Sequence, residues 1–170
     1  MSTPLELAMT FTLQSEGKFT HDTGGDTMCG VTQAVYDAYR SEQHLKPQSV
    51  RLIDIDEVYS IFNKKYFLAG HCDKLPLKLA IAHADWCYNH GVSGAIKHLQ
   101  EACGVQNDGI VGAKTLAAFS DSTSVTLATY LQKRIDFYHD LANNKPDKYG
   151  IYLNGWLNRV ENLKKYIEKI

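Results

Sequence analysis

One stretch of this sequence is apolar on nearly every side of a helix. Residues 77–90 follow Pro76 and precede Gly91, and leucine, isoleucine, alanine and tryptophan dominate between them. A helix without a continuous polar face has to be surrounded by other elements, because no side of it suits water. The sequence therefore predicts a central buried helix here, with the rest of the chain packed around it.

The other regular segments also have helical spacing. The first is marked by Thr3-Pro4-Leu5-Glu6, which combines an N-cap hydroxyl, a proline at the first helical position and a glutamate at N3. By contrast, residues 19–32 contain Gly24-Gly25 and short polar side chains, typical of a hairpin or loop. We expect a mainly α protein with a small β-hairpin or Gly-rich loop after the first helix. Further helices are predicted at 33–42, 54–67, 95–103, 115–119, 125–142 and 156–170.

Length and charge limit the classes of protein to consider. A chain of 170 residues with 44% hydrophobic content predicts one compact domain. The 18 basic and 19 acidic residues are mixed along it, which argues against nucleic acid as a partner. No stretch approaches the roughly 18 apolar residues of a membrane span, so no membrane insertion is expected. Residues 1–19 also lack the pattern of a secretory signal, so we expect synthesis in the cytoplasm.

Cysteines and histidines give no sign of a metal site. The four cysteines lack CxxC spacing and look like small buried hydrophobic residues, as in a reducing compartment. The seven histidines lack the spacing of zinc ligands, so a zinc peptidase or amidase is a weak interpretation. We predict no metal and no cofactor.

Glu16 interrupts the apolar pattern of the first helix. Leu5, Met9, Thr12 and Glu16 fall at i, i+4, i+7 and i+11, which places them on one stripe. Burial would raise the pKa of such a carboxyl group toward the range where it donates a proton near neutral pH, as protonation of a glycosidic oxygen requires. Periodicity alone favours the alternative that Glu16 is a solvated last-turn residue or a partner for a buried arginine.

Glycoside hydrolysis usually needs a second carboxylate. Asp22 and Asp26 flank the Gly24-Gly25 pair, where the backbone can approach a sugar closely, and Thr27 follows as a group that could orient water. The alternative is that both aspartates are turn residues and Thr27 a strand former. Asp22, Asp26 and Thr27 are therefore candidate catalytic residues beside Glu16.

Polar and aromatic side chains on the central helix are candidate substrate ligands. Asp85 and Asn89 share a face and could hold N-acetyl or hydroxyl groups, or could form a satisfied buried pair. Arg159 is expected to pair with a buried acid or a carbonyl. Four aromatic residues could stack on sugars or pack in the core: Trp86, Tyr88, Tyr149 and Trp156.

Five segments together resemble the N-acetylmuramidases of glycoside hydrolase family 108, which include phage endolysins and proteins once labelled secretion activators. Glu16-Gly17-Lys18-Phe19 and the segment 24–32 resemble the opening signature, although Lys18 stands at the motif's second glycine. Residues 82–91 are similar to the family's D-x-x-x-N-x-G helix. Residues 99–116 and 155–160 resemble the associated peptidoglycan-binding region.

The resemblance implies a lysozyme-like fold with a cleft beside the hairpin and Glu16 as general acid. It implies hydrolysis of the β-1,4 bond between N-acetylmuramic acid and N-acetylglucosamine in peptidoglycan glycan strands. Residues 1–92 would form the catalytic part, and residues 93–170 a peptidoglycan-binding part packed on it. We expect a monomer that waits in the cytoplasm as a phage or prophage enzyme until a holin gives access to the wall.

Two other functions stay open at this stage. A lytic transglycosylase would use Glu16 alone and release 1,6-anhydro ends. A non-catalytic peptidoglycan-binding or secretion-related protein would only dock, through the region of Asp108-Gly109.

Overall fold

The computed structural model describes the backbone of residues 2–14, 20–22 and 25–170, and the side chains of residues 2–14 and 27–170. Helix α1, Pro4–Leu13, begins with the predicted capping box. Thr3 Oγ1 accepts from the Glu6 amide at 3.2 Å, and the Thr3 amide donates to Glu6 Oε2 at 2.7 Å. The predicted end of this helix at Glu16 lies outside the described residues.

A small antiparallel sheet follows α1, as predicted. Strands β1 (Thr20–Asp22), β2 (Gly25–Met28) and β3 (Val31–Thr32) lie in the order β1-β2-β3. Cys29 and Gly30 join β2 to β3 and both have positive φ, as in the type I′ turns that match strand twist. The third strand is additional to the predicted hairpin.

Helices α2 (Gln33–Glu42) and α3 (Ile55–Phe62) pack behind the sheet and are tied by a buried carboxylate. Glu57 accepts hydrogen bonds from Tyr36 Oη at 2.5 Å and from Arg40 Nη1 at 2.8 Å. Helix α3 continues as a π-helical segment, Asn63–Leu68. Short 3-10 turns lie on either side of this region, at Val50–Leu52 and Cys72–Lys74.

Helix α4, Leu77–His90, is the central helix that the sequence predicts. Every residue from 79 to 87 is buried. Helix α1 packs against it on one side and α5 on another. Cys72 and Cys87 lie in this core, as expected for small hydrophobic side chains, whereas Cys29 and Cys103 are partly exposed. The core therefore forms around α4.

The remaining helices close the fold. They are α5 (Val92–Ala102), α6 (Ala113–Ser120), α7 (Ser124–Asn144), α8 (Pro146–Tyr149) and α9 (Leu153–Glu168), with a 3-10 turn at Gly150–Tyr152 before α9. Helix α7 packs against both α5 and α9. In the described part of the chain, no helix is long and apolar enough to cross a bilayer. The predicted fold class, mainly α with a small β element after the first helix, is confirmed.

Candidate active site

The candidate catalytic residues lie where the structure describes only part of the chain. Glu16 belongs to residues 15–19, outside the described residues, and Asp22 and Asp26 have a described backbone only. Gln14 precedes Glu16 by two residues and Thr20 follows it by four.

The sheet register brings the two aspartates to neighbouring strands. Asp22 pairs with Gly25, and Asp26 pairs with His21. Thr27 pairs with Thr20 on one side and with Thr32 on the other, and its side chain is partly buried. Asp22, Asp26 and Thr27 are thus gathered on one small sheet, and their catalytic roles stay predictions.

Asp85 lies at the centre of a buried ion network. Its carboxylate is fully buried, and it contacts Arg134 of α7 and Arg159 of α9. Arg134 Nη1 lies 2.8 Å from Asp85 Oδ2 and forms an ion pair with it. Arg159 Nη2 donates to Asp85 Oδ1 at 2.7 Å, and Arg159 Nε donates to the same carboxylate at 3.2 Å. We call these three residues the Asp85 ion network.

The network also holds the last turn of α1. Arg159 Nη2 donates to the carbonyl oxygen of Thr12 at 3.0 Å. A carbonyl in the last turn of a helix has no partner within the helix, and a cation there also interacts favourably with the helix dipole. The end of α1 at Thr12 is therefore anchored to α9 and, through Asp85, to α4. The prediction that Arg159 pairs with a buried acid or a carbonyl is confirmed, since it contacts the Asp85 carboxylate and the Thr12 carbonyl.

Opposing effects act on the pKa of Asp85. Burial alone would raise the pKa, but the nearby charge of Arg134 and the hydrogen bonds and charge of Arg159 outweigh burial and lower it. Asp85 is thus ionised at neutral pH, and the network of one anion and two cations carries a net positive charge. The burial of Asp85 favours the alternative in which its carboxylate is satisfied by groups within the protein. Contact between Asp85 and the substrate stays a prediction.

Arg134 extends the network toward His90. Arg134 Nε donates to Tyr138 Oη at 2.7 Å, and Tyr138 Oη lies 3.4 Å from His90 Nδ1. Burial, followed by the charge of Arg134, lowers the pKa of His90 to about 4. His90 is therefore neutral at physiological pH.

Asn89 and Tyr88 lie at the end of α4, on two sides of it. Asn89 Nδ2 donates to the carbonyl oxygen of Asp85 at 2.7 Å, and its side chain borders a surface pocket. Tyr88 Oη donates to the carbonyl oxygen of Cys29 at 3.4 Å, in the turn between β2 and β3. The ring of Tyr88 packs on Tyr66 at 5.0 Å between centroids. Both side chains are partly exposed, and their contact with substrate stays a prediction.

Trp86 faces the core instead. Its side chain is 1% exposed and stacks on His98 at 4.8 Å with an interplanar angle of 8°. Tyr130 packs on another part of the ring. This burial does not favour the predicted role of Trp86 in sugar binding and matches the core alternative.

The pocket beside Asn89 is a cavity of about 610 Å³ between the end of α1, the end of α4 and the length of α9. We call it the α9 pocket. Phe11 and Gln14 border it from α1, and Trp156 and Arg159 border it from α9. Gln14, which precedes Glu16 by two residues in the sequence, thus lies at the edge of this pocket.

The sequence interpretation missed Arg134. It occupies the middle of the series Tyr130, Arg134 and Tyr138, which follow one another at i+4 on the buried face of α7. A charged residue among the apolar positions of one helix face also singled out Glu16, so the same pattern could have identified Arg134. In the described part of the chain, no cluster of three histidine, cysteine or acidic side chains is arranged to hold a metal ion.

Comparisons with known proteins agree with this architecture. Residues 9–91 match the family model of glycosyl hydrolase 108, and residues 94–161 match the model of a predicted peptidoglycan domain. A solved structure, that of Brucella abortus SagA, is similar over 97% of this chain and 94% of its own, with a TM-score of 0.78 and 26% sequence identity. Among proteins with curated descriptions, none matches this sequence.

The two matches place the Asp85 ion network across both segments. Thr12 and Asp85 lie in the glycosyl hydrolase segment, whereas Arg134 and Arg159 lie in the peptidoglycan segment. The lysozyme-like, mainly α fold is shared with a solved structure over nearly the full length. Residues 9–91 therefore belong to the glycosyl hydrolase 108 family, and together with the peptidoglycan match they make this chain a glycoside hydrolase that acts on peptidoglycan.

Proposed function

We propose that this protein is a muramidase of the endolysin type. It hydrolyses the β-1,4 bond between N-acetylmuramic acid and N-acetylglucosamine, with Glu16 as the general acid. The observation that supports this most is the anchor of the α1 end: Arg159 holds both Asp85 and the Thr12 carbonyl, four residues before Glu16. A general acid needs a fixed position relative to the scissile oxygen, and a buried ion pair behind its segment supplies rigid support.

The proposed mechanism uses two carboxyl groups. Glu16 protonates the leaving glycosidic oxygen, while Asp26 or Asp22 either activates a water molecule or attacks the anomeric carbon. The β1–β2 pairing supports this assignment because it keeps the two aspartates on neighbouring strands, six and ten residues after Glu16 in the sequence. Thr27, next to Asp26, would orient the water.

Substrate contacts are proposed at the two sides of the α4 end. Asn89 borders the α9 pocket, where its amide could bind N-acetyl or hydroxyl groups. Tyr88 reaches the β2–β3 turn and would contact sugar from the side of the sheet. We assign Asp85 a positioning role through Arg159, because no part of its carboxylate is exposed.

The decisive experiment compares Glu16→Gln with Glu168→Gln, which removes an exposed carboxylate at the far end of α9. Glu16→Gln should abolish the turbidity loss of purified wall suspensions while the protein still sediments with the walls. Glu168→Gln should lyse walls at the wild-type rate. Continued lysis by Glu16→Gln would refute the proposed general acid.

Product analysis identifies the reaction. Digestion with the wild-type protein should release fragments whose reducing ends are N-acetylmuramic acid, detected by mass spectrometry after borohydride reduction. Reducing ends on N-acetylglucosamine would contradict the proposed bond. Non-reducing 1,6-anhydro ends would identify a lytic transglycosylase instead.

The same assays identify the second carboxylate. Asp26→Asn and Asp22→Asn should differ, with a loss of roughly 10²-fold or more for the residue that acts on water or the anomeric carbon. Equal and small losses would leave Glu16 as the only catalytic carboxyl group.

The endolysin role is proposed together with release through a holin. Fractionation of cells that express the protein alone should recover it in the cytoplasm, and co-expression of a holin should lead to lysis. Lysis without a holin would contradict this route.

A further inference from the structure

We propose that the α9 pocket binds a carboxylate-bearing substituent of the glycan strand, the group carried on the lactyl ether of muramic acid. This inference rests on the proposed function, because it assigns a substrate group to the same cleft. It makes the last helix of the peptidoglycan segment one side of the active cleft rather than part of a separate docking surface.

The first argument is the charge of the pocket. Three cationic side chains border it, from Arg159, Lys165 and Lys169, and no aspartate or glutamate does. The protein as a whole has a net charge of −1, so this local excess is not a general property of its surface. Lys165 Nζ lies 3.6 Å from Glu161 Oε1, but both side chains are largely exposed and such a pair is weak. A positive concave site of this kind favours an anionic ligand.

The second argument is the row of polar groups beside these charges. Asn158, Asn162 and Lys165 follow one another at i, i+4 and i+7 along one stripe of α9, and Lys169 at the C-cap continues this stripe at i+11. An amide side chain both donates and accepts hydrogen bonds, whereas lysine only donates. Amides followed by ammonium groups suit a ligand that has amide bonds near the sugar and carboxylates further out.

The third argument is the position of the pocket. Its opposite side is formed by Gln14 of the α1 end and Asn89 of α4. Trp156 also borders it, held in a cluster with Tyr138 at 5.0 Å and Tyr152 at 5.7 Å between ring centroids. An aromatic ring next to polar groups is a common arrangement for binding the apolar face of a sugar. Gln14 precedes the proposed general acid Glu16 by two residues in the sequence, and we therefore assign the pocket to the substrate of the proposed reaction.

Two sources supply this carboxylate chemistry. An intact wall carries a stem peptide on the lactyl group, with carboxylates along the peptide. A wall stripped of peptides carries the free lactyl carboxylate instead. Both are absent from a chitin fragment, which has the same N-acetylglucosamine sugars and no lactyl group.

The test is a binding measurement with three soluble disaccharides. They are GlcNAc-MurNAc with its stem peptide, GlcNAc-MurNAc without peptide, and di-N-acetylchitobiose. None contains the MurNAc-GlcNAc bond of the proposed reaction, so binding can be measured on the active protein. Dissociation constants come from ¹⁵N NMR titration, in which amide shifts on α9 also locate the ligand.

The test variant is the double substitution Lys165→Gln/Lys169→Gln, and the matched control is Lys78→Gln/Lys114→Gln, which removes two exposed lysines outside the pocket. The test variant should weaken binding of the peptide-bearing disaccharide about tenfold, as expected for the loss of two exposed charge contacts. Its binding of chitobiose should change much less, so the ratio of the two affinities falls. Unfolding midpoints within error of wild type would show that both variants are folded.

The outcomes distinguish the stem peptide from the lactyl carboxylate, and this subsite from the proposed muramidase activity. A loss with the peptide-bearing probe alone assigns the pocket to the stem peptide, and an equal loss with the peptide-free probe assigns it to the lactyl carboxylate. Equal wild-type affinity for all three probes, or no greater loss than in the control variant, would overturn the inference. In that case Glu16→Gln could still abolish lysis, which would leave the muramidase proposal standing without this subsite.

Discussion

Arg159 and Asp85 form a 2.7 Å ion pair between helices α9 and α4, although 74 positions separate them in the sequence. The same guanidinium group donates to the Thr12 carbonyl. One side chain of the peptidoglycan segment thus fixes the end of the first helix of the glycosyl hydrolase segment. Substitutions of Arg159 or Asp85 therefore test both the stability of the fold and the proposed catalysis.

Asp85→Asn should strongly destabilise the protein. The substitution removes the anion that neutralises Arg134, which is fully buried. An uncompensated buried charge typically costs about 3–5 kcal/mol of unfolding free energy. Urea denaturation followed by circular dichroism measures this, with the exposed Asp140→Asn as the control expected to change stability by less than ~0.5 kcal/mol. A loss as small as that of the control would contradict the role of the network.

Arg159→Lys should reduce lysis more than it reduces stability. Lysine keeps the charge but cannot bind the Asp85 carboxylate and the Thr12 carbonyl with separate donors in a fixed plane. If the α1 end positions Glu16, kcat should fall by about tenfold or more, since small displacements of a catalytic group are costly. Wall-lysis rates measure the loss of activity, and hydrogen exchange of the Gln14 amide measures how far the end of α1 has loosened. If lysis stays at the wild-type rate while exchange becomes faster, the end of α1 does not position the catalytic group.

Stability should fall as the pH is lowered from about 6.5 to about 4. The pKa of His90 is lowered to about 4 in the folded protein, whereas an unfolded histidine has a pKa near 6.5. Between these values the unfolded chain binds a proton that the folded chain does not, so protonation favours unfolding. The contribution is on the order of 2 kcal/mol after allowance for partial exposure.

His90→Gln is the variant that tests this pH dependence. It should flatten the plot of unfolding free energy against pH in this window, whatever it does to stability at pH 8. The pKa of Asp85 is lowered as well, through Arg134 and Arg159 acting against burial, so its contribution is present at neutral pH and is lost at still lower pH. An unchanged slope in His90→Gln would assign the acid sensitivity to other groups.

Two glycine-to-alanine substitutions should have opposite signs. A Cβ at Gly70 would lie 2.7 Å from the carbonyl oxygen of Tyr66 and 2.8 Å from Cys87 Sγ, in the core. Gly70→Ala should therefore cost about 1–3 kcal/mol. Gly94 lies in α5 with nothing within 4 Å of an added Cβ, so Gly94→Ala should stabilise by up to about 1 kcal/mol. Thermal unfolding measures both, and a stable Gly70→Ala would disprove the tight packing at that site.

Local signals in the sequence predicted local structure well. The Thr3–Glu6 capping box and the apolar α4 were predicted correctly because the residues that decide them lie within one or two turns of each other. Strand β3, with only Val31 and Thr32, was missed because two residues show no period. The π-helical continuation of α3 at Asn63–Leu68 was missed for a related reason, since α and π spacing look alike over six residues.

The candidate site was only partly predictable because its contacts cross the whole chain. The pattern indicated that Arg159 needs a buried acid or a carbonyl, and the structure shows that it contacts one of each. The pattern placed Arg134 on a buried stripe but could not indicate that Arg134 pairs with Asp85. It also could not indicate that Trp86 faces the core while Asn89 borders a pocket. Helical periodicity predicts which residues share a face, but packing decides what that face meets.

The bond from Arg159 to Thr12 joins positions 147 residues apart, near opposite ends of the chain. A ribosome that has released every residue of the glycosyl hydrolase segment has therefore not yet supplied the arginine that fixes the end of α1. Synthesis of the final helix completes the support of the first one. The end of α1 therefore gains this hydrogen bond only after Arg159 has been synthesised, so the first helix of the fold reaches its final support late in synthesis.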